Sequence, residues 1–247
     1  MRADAEAQLR LLDLQALDTV LAQLAHRRSS VPQIAELAEL DARAAQLRDH
    51  DVAVRTAVSD LEREMTKAES DVAQVRERIS RDQGLLDAGS VHSARQLEDL
   101  QREIENLRRR VSALEDAELE VMEKLEDAQS RAAAAAADVA ALAESRTAAE
   151  RARDAAFADI DAEVARVSAE RARVAPEIPE DLAALYDRVR ASSGGLGAAA
   201  LQRGRCQGCQ LTLTPADLGR IRSEPADAVV RCEECRRILV RTDESGL

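Results

Sequence analysis

The apolar residues of this 247-residue chain fall into two long seams, and those seams constrain its fold more than any other feature. The first runs Leu37, Leu40, Ala44, Leu47, Asp51, Val54, Val58, Leu61, Met65, Ala68, Val72, Val75 and Ile79. Its steps alternate three and four, which keeps one stripe of a helix facing a partner helix, the heptad pattern of a coiled coil. The second seam runs Leu97, Leu100, Ile104, Leu107, Val111, Leu114, Glu118, Val121, Leu125, Ala128, Ala132, Ala135, Val139 and Leu142. It continues through Ala149, Ala156, Ile160, Val167 and Val174 if Arg146, Arg153, Glu163 and Glu170 are admitted to it.

Gly84 and Gly89 bracket the break between the seams, and Ser93 followed by Gln96 suits a capping box opening the second helix. Residues 84–92 are therefore the expected tip of an antiparallel hairpin. Symmetric helices then pair residues whose numbers sum to roughly 177. That register sets Ala42, Ala44 and Ala45 against Ala132–Ala137. An arm from residue 33 to 83 would be about 75 Å long. Pro32, after Ser29 and Ser30, suits a first helical turn and not a helix interior, so a break near 29–32 separates an N-terminal helix over 3–28. That helix is expected to pack near residues 150–174. Glu39–Arg43, Glu98–Arg102, Glu105–Arg109 and Asp127–Arg131 are spaced as helix-supporting pairs. Residues 1–175 thus form one expected domain.

Composition agrees with so thin a core. Phe157 and Tyr186 are the only aromatic residues, and charged residues make up 33% of the chain. A thick core, a deep apolar pocket and a base-stacking surface all need more large side chains than this. The net charge is −12, and residues 1–175 hold 25 Lys+Arg against 36 Asp+Glu. An acidic rod stays soluble and repels phosphate. No apolar run approaches membrane-spanning length, and acidic residues interrupt the first leucines, so a cytoplasmic protein with reduced thiols is expected.

Residues 176–247 read as a different module. Pro176 and Pro179 end the long helix, and Glu180 and Asp181 suit a new helix start. Leu182, Leu185, Tyr186 and Val189 give that helix one apolar face, and Ser192–Gly195 is a Gly/Ser linker. Then come Cys206-x2-Cys209 and Cys232-x2-Cys235, 22 residues apart. Two such turns can aim four thiolates at one tetrahedral Zn2+; a redox dithiol pair and a rubredoxin-like iron site share the spacing. Short strands are expected at Ala199–Arg205, Gln210–Leu213, Ala228–Arg231 and Ile238–Arg241, with a helix starting at Thr214-Pro215. The fold class is therefore mainly α: a long antiparallel coiled-coil helical hairpin plus a small C-terminal β-rich zinc ribbon.

The tip, RDQGLLDAGSVHSARQLEDLQRE over 81–103, and the stretch IPEDLAALYDRVR, GRCQGC and RCEECRRILVR over 178–241 carry a family resemblance. Together with the hairpin they resemble the bacterial coiled-coil proteins with a C-terminal C4-type zinc ribbon. The resemblance implies that Cys206, Cys209, Cys232 and Cys235 bind one structural Zn2+, and that the protein is a non-enzymatic adaptor. Members of that family have been linked to sigma factors, nucleic acid and secretion. Family members usually carry Gly after the last cysteine, where a left-handed turn suits it; here Arg236 takes that place.

The expected function is a zinc-binding scaffold that contacts protein partners, transcription machinery among them, through its tip and ribbon. Arg81, Asp87, Val91, His92, Arg95 and Gln96 are the candidate tip contacts. The alternative is nucleic-acid binding through Arg203, Arg205, Arg231, Arg236 and Arg237. Residues 203–241 hold 8 Arg against 5 Asp+Glu, a weak electrostatic footprint. His26, His50 and His92 lie far apart, and no nucleophile–base set accompanies them, so no enzyme is expected. Membrane binding is not expected, and oligomeric state is left open.

Overall fold

The computed structural model describes residues 1–247. Helices α1 (Ala5–Ser29), α2 (Pro32–Asp87) and α3 (Ala94–Val174) come first, followed by a 3-10 turn at Ala175–Glu177 and α4 (Glu180–Ser192). The ribbon contributes β1 (Ala198–Gln202), β2 (Arg205–Cys206), α5 (Pro215–Ser223), β3 (Val230–Arg231) and β4 (Ile238–Arg241). The fold is the expected one, mainly helical with a small C-terminal sheet. Its compact units divide differently from a boundary at residue 175. Ala35–Glu150 form one unit, and Met1–Ile34 with Arg151–Leu247 form the other.

In the Ala35–Glu150 unit the heptad reading holds along both helices except at Leu97, which is exposed. Every seam position from Leu37 to Ile79 is buried or half-buried, and nearly every residue between them is exposed. Val72, Ile104, Ala128 and Ala135 are the best covered, while most other seam residues keep partial solvent contact. Two helices cover each other on one side only, so a two-helix seam stays half-wet. Asp51, the one polar member of the first seam, lies 3.7 Å from Arg55 on the next turn.

The bend lies further out than the glycines suggest. Gly84 is helical, and α2 runs on to Asp87, so the non-helical tip is residues 88–93 instead of 84–92. Gly89 has φ +62°, Ser90 N–H donates to Leu85 O, and Gly89 N–H donates to Leu86 O. Those two bonds are a Schellman ending, and they need a left-handed residue at position 89, not at 84. The outward shift moves the pairing register. Arg78 reaches Glu103, Arg76 reaches Glu115, and Arg146 reaches Asp41, each further along α3 than the symmetric estimate. Ala44 therefore shares a groove with Val139 and Leu142, and the expected facing of Ala42, Ala44 and Ala45 with Ala132–Ala137 is not formed. Among the anticipated helix pairs Asp127–Arg131 forms, at 2.6 Å, whereas Arg102 turns to Asp99 at 2.7 Å.

The other unit is built on the parallel pair β1–β4, with β2 and β3 outside it in the order β2-β1-β4-β3. Successive strand residues point to opposite faces. Ala198, Ile238 and Val240 join Leu11 and Leu14 of α1 and Leu182 and Tyr186 of α4 in one core. Ala199, Leu201 and Leu239 join Cys206, Cys232, Ile221 and Val230 in a second. Leu24, Val31, Ile160 and Val167 make a third beside Phe157, which Arg28 covers at 4.2 Å. The expected packing of the N-terminal helix against residues 150–174 is thus formed. Residues 1–3 pair with the ribbon: Ala3 N–H donates to Asp227 O, and Val229 N–H to Met1 O.

A buried polar cluster ties α1, α3 and α4 together. Asp18, 2% exposed, accepts Tyr186 Oη–H at 2.7 Å and Arg171 Nε–H at 2.6 Å, with Arg190 Nε at 3.4 Å. Burial, reinforced by the hydrogen bond to Asp18, pushes the Tyr186 phenol far up, so it stays a neutral donor. Removing one partner of a buried charge leaves the others uncompensated. Asp18→Ala is expected to cost about 3 kcal/mol and Tyr186→Phe about 1 kcal/mol, read as the urea midpoint at unchanged slope. Equal effects from both variants would refute a charge-centred cluster.

Candidate metal centre

Both cysteine pairs sit in tight turns at strand ends. Cys206 closes β2, which β1 meets through a two-residue loop, Arg203-Gly204. Both loop residues have positive φ, 49° and 73°, as a type I′ hairpin turn requires. This turn interrupts the strand expected over 199–205. The strand expected at Gln210–Leu213 reduces to one bridge between Thr212 and Arg205. The helix after Thr214 forms as anticipated, with the Thr214 hydroxyl accepting Asp217 N–H at 3.1 Å.

The two turns repeat one geometry. Gln210 N–H donates to Cys206 O, and Arg236 N–H donates to Cys232 O. Gln210 and Arg236 both have left-handed backbones, with φ 64° and 61°. The departure at Arg236 is therefore a residue carrying a side chain in glycine's conformation, and Gln210 is a second one that the sequence reading did not mark. Backbone N–H groups of Gly208 and Cys209 face the Cys206 sulfur, and those of Glu234 and Cys235 face Cys232.

These turns bring the four sulfurs within 4.8 Å of one another. Cys206 Sγ lies 3.8 Å from Cys235 Sγ, and Cys209 Sγ 3.9 Å from Cys232 Sγ. A tetrahedron with Zn–S bonds of about 2.3 Å has edges of about 3.8 Å, so the donor set fits Zn2+ in size and in chemistry. Burial pushes the Cys206 thiol up to about 12, and it also raises Cys232. Burial acts on Cys235 too, but hydrogen bonds from Arg237 and from the neighbouring Cys232 and Cys209 thiols together more than offset it and bring that thiol down to about 7.

The candidate Arg residues divide by what they already hold. Arg237 donates to Ser193 O, Leu196 O and Gly208 O, and Arg231 donates to Arg236 O at 2.6 Å. Arg236 pairs with Glu233 at 3.7 Å. Arg203 and Arg205 are exposed and line a polar groove with Gln202, Gln207 and Thr212. Arg241, which sequence reading treated only as a strand end, donates to the carbonyls of Ile221, Glu224, Pro225, Ala226 and Ala228 and so fixes the spacer loop. At the tip, Arg81, Asp87, His92, Arg95 and Gln96 are exposed and Val91 is half-buried. No helix is long and apolar enough to cross a membrane.

A helical hairpin joined to a four-thiolate ribbon defines a zinc-ribbon coiled-coil protein. Family models match at residues 14–194, the CT398-like coiled coil hairpin domain, and at residues 205–239, the C4-type zinc ribbon domain. The chain belongs to the CT398-like coiled-coil hairpin family, and its ribbon holds one structural Zn2+. It is 38% identical over 243 residues to an uncharacterized protein of Mycobacterium tuberculosis, with 98% of each chain covered. An uncharacterized protein of Mycobacterium leprae is 31% identical, with 90% of this chain and 94% of that one covered. A solved structure from Mycobacterium smegmatis matches with TM-score 0.85 and 34% identity, covering 98% of this chain and 100% of that one. CT398 from Chlamydia trachomatis, at 19% identity and TM-score 0.68 with 96% and 98% covered, shares the fold.

Metal binding must displace protons from the raised thiols, so affinity should climb with pH. Calorimetry in buffers of different ionisation enthalpy, repeated across pH, should show Zn2+ binding releasing protons and tightening as pH rises. Affinity that does not change with pH would contradict a thiolate donor set. Arg236→Gly should keep Zn2+ and lose no stability, while Arg236→Val should lose about 1–2 kcal/mol. Thermal melting of the metal-loaded variants checks both, and equal behaviour would argue against backbone strain at this position.

Proposed function

We propose that the protein is a non-enzymatic scaffold, which uses its hairpin tip to contact a protein partner and its ribbon as a second contact surface. The observation that carries this reading is the state of the tip side chains. His92, Arg95 and Gln96 are exposed, as are Leu85 and Leu97, with Val91 half-covered beside them. Aromatic-poor but mixed apolar and forked cationic groups on a tight turn suit protein recognition. A closed set of four thiolates gives the metal a structural role, because no coordination position is left for a substrate. Cytoplasmic transcription machinery is the partner class this reading favours, following the family resemblance.

One observation favours a second reading, nucleic-acid binding. Arg203 and Arg205 offer two uncommitted guanidinium groups on one hairpin, whereas Arg231 and Arg237 are held by main-chain carbonyls. The acidic balance of the chain opposes it.

The quadruple variant Val91→Ser, His92→Ala, Arg95→Ala, Gln96→Ala should lose its partners in affinity capture with nuclease present, with helix content unchanged. Undiminished recovery would refute the tip contact. Under the second reading, Arg203→Ala with Arg205→Ala should flatten the salt dependence of oligonucleotide binding. An unchanged salt slope would exclude that contact.

A further inference from the structure

We infer that Arg237 is a positioning residue that couples metal occupancy of the ribbon to the latching of the Gly/Ser segment and, through Gln15, to the docking of α1. The inference goes beyond a scaffold role. It rests on three groups of contacts, two made by Arg237 and one by Gln15, that join the metal turns, residues 193–197 and α1.

The first group belongs to the metal turns. Arg237 Nη1 donates to Gly208 O at 3.2 Å, inside the turn between Cys206 and Cys209. Its main-chain oxygen accepts Cys232 N–H at 3.0 Å, inside the other turn. Gly208 has no room for a side chain, since a Cβ there would come within 2.8 Å of Arg237 Cδ. The arginine stem thus packs directly on the first turn while its backbone closes the second.

The second group holds the linker. Arg237 Nη2 donates to Ser193 O at 2.8 Å and Nε donates to Leu196 O at 3.1 Å. A segment written Ser-Ser-Gly-Gly is a flexible break on composition alone, yet here its carbonyls are fixed from the ribbon side. The third group fixes it from the other side. Gln15 of α1 donates through Nε2 to Gly195 O at 3.1 Å and accepts Gly197 N–H through Oε1 at 2.6 Å. Gln15 is 6% exposed, and its Oε1 lies 3.3 Å from Tyr186 Oη. Residues 193–197 therefore lie between two side-chain clamps, one carried by the metal turns and one by α1.

The Cys206 turn must be folded for the planar fork to hold Gly208 O together with the linker carbonyls, and the Cys232 turn is the one that Arg237 O closes. Zinc binding supplies much of the folding energy of such turns. The bound metal thereby favours the latched linker, and linkage makes the effect reciprocal: a linker released at Gln15 must bind metal more weakly.

The test is a double-mutant cycle on the full-length, zinc-loaded chain, with Zn2+ affinity measured by chelator competition and amide exchange followed over 193–198. Gln15→Ala should weaken Zn2+ binding about tenfold, within the usual range of coupling, and speed exchange of 193–198. Arg237→Gln should speed the same amides with metal still bound, and adding Gln15→Ala to it should produce no further loss of Zn2+ affinity. Arg237→Lys, which keeps the charge without the fork, is the milder partner for the cycle; it should show a coupling smaller than that of Arg237. Equal effects of Gln15→Ala on Zn2+ affinity in the wild-type and both Arg237 backgrounds would overturn the proposal. Unchanged exchange of 193–198 when the wild-type chain is stripped of metal would overturn it as well.

Discussion

The parallel pairing of β1 with β4 is the contact on which the Met1–Ile34 and Arg151–Leu247 unit depends. Only nine residues form the two strands, yet each strand shares its side chains between two cores. Parallel strands need a long crossover, and here the crossover is the metal-binding module itself. The ribbon is therefore not an appendage. Its two cysteine turns lie within the connection that makes the parallel pair possible, and the helices α1 and α4 rest on the opposite face of that pair.

The large contributions to this unit come from few side chains. Tyr186, Leu11, Leu182 and Ile238 are almost fully buried, and the rest of the cover comes from Ala, Val and Leu. Where apolar volume is short, charge-assisted hydrogen bonds fix geometry instead. Asp18 gathers Tyr186 and two arginines, and Arg241 gathers five carbonyls of the spacer loop. The 33 charged residues in every hundred are thus not all solvent-facing decoration, since several of the arginines replace the packing that aromatic residues would give.

The helical seams and the ligand set could be read from sequence because each follows a local period or spacing. The heptad steps identify the covered stripe residue by residue, and the two C-x2-C turns define the donors. The tip position was less legible. Two glycines compete for the bend, and only the left-handed backbone at Gly89 decides between them. Contacts that span the chain left no local trace. Gln15 bonding to Gly197, Asp18 to Tyr186 and Ala3 to Asp227 join residues separated by more than a hundred and sixty positions. The Gly/Ser segment misled in the same way: its composition describes the isolated chain, and its clamps come from Gln15 and Arg237.

Pairing of residues 1–3 with 227–229 bears on how the molecule assembles. The apolar face of α1, with Leu11 and Leu14, gains its cover from Leu182, Ile238 and Val240. During synthesis that face emerges before β4 and must wait for it, while the hairpin over Ala35–Glu150 can close on contacts between neighbouring turns and its own returning helix. Closing that hairpin shortens the loop that α1 must bridge, because it draws the neighbourhoods of Asp41 and Arg146 together and lowers the entropy cost of the final docking by about 1 kcal/mol. The arm thus has a part in folding, and a nascent chain without β4 is the form most exposed to aggregation.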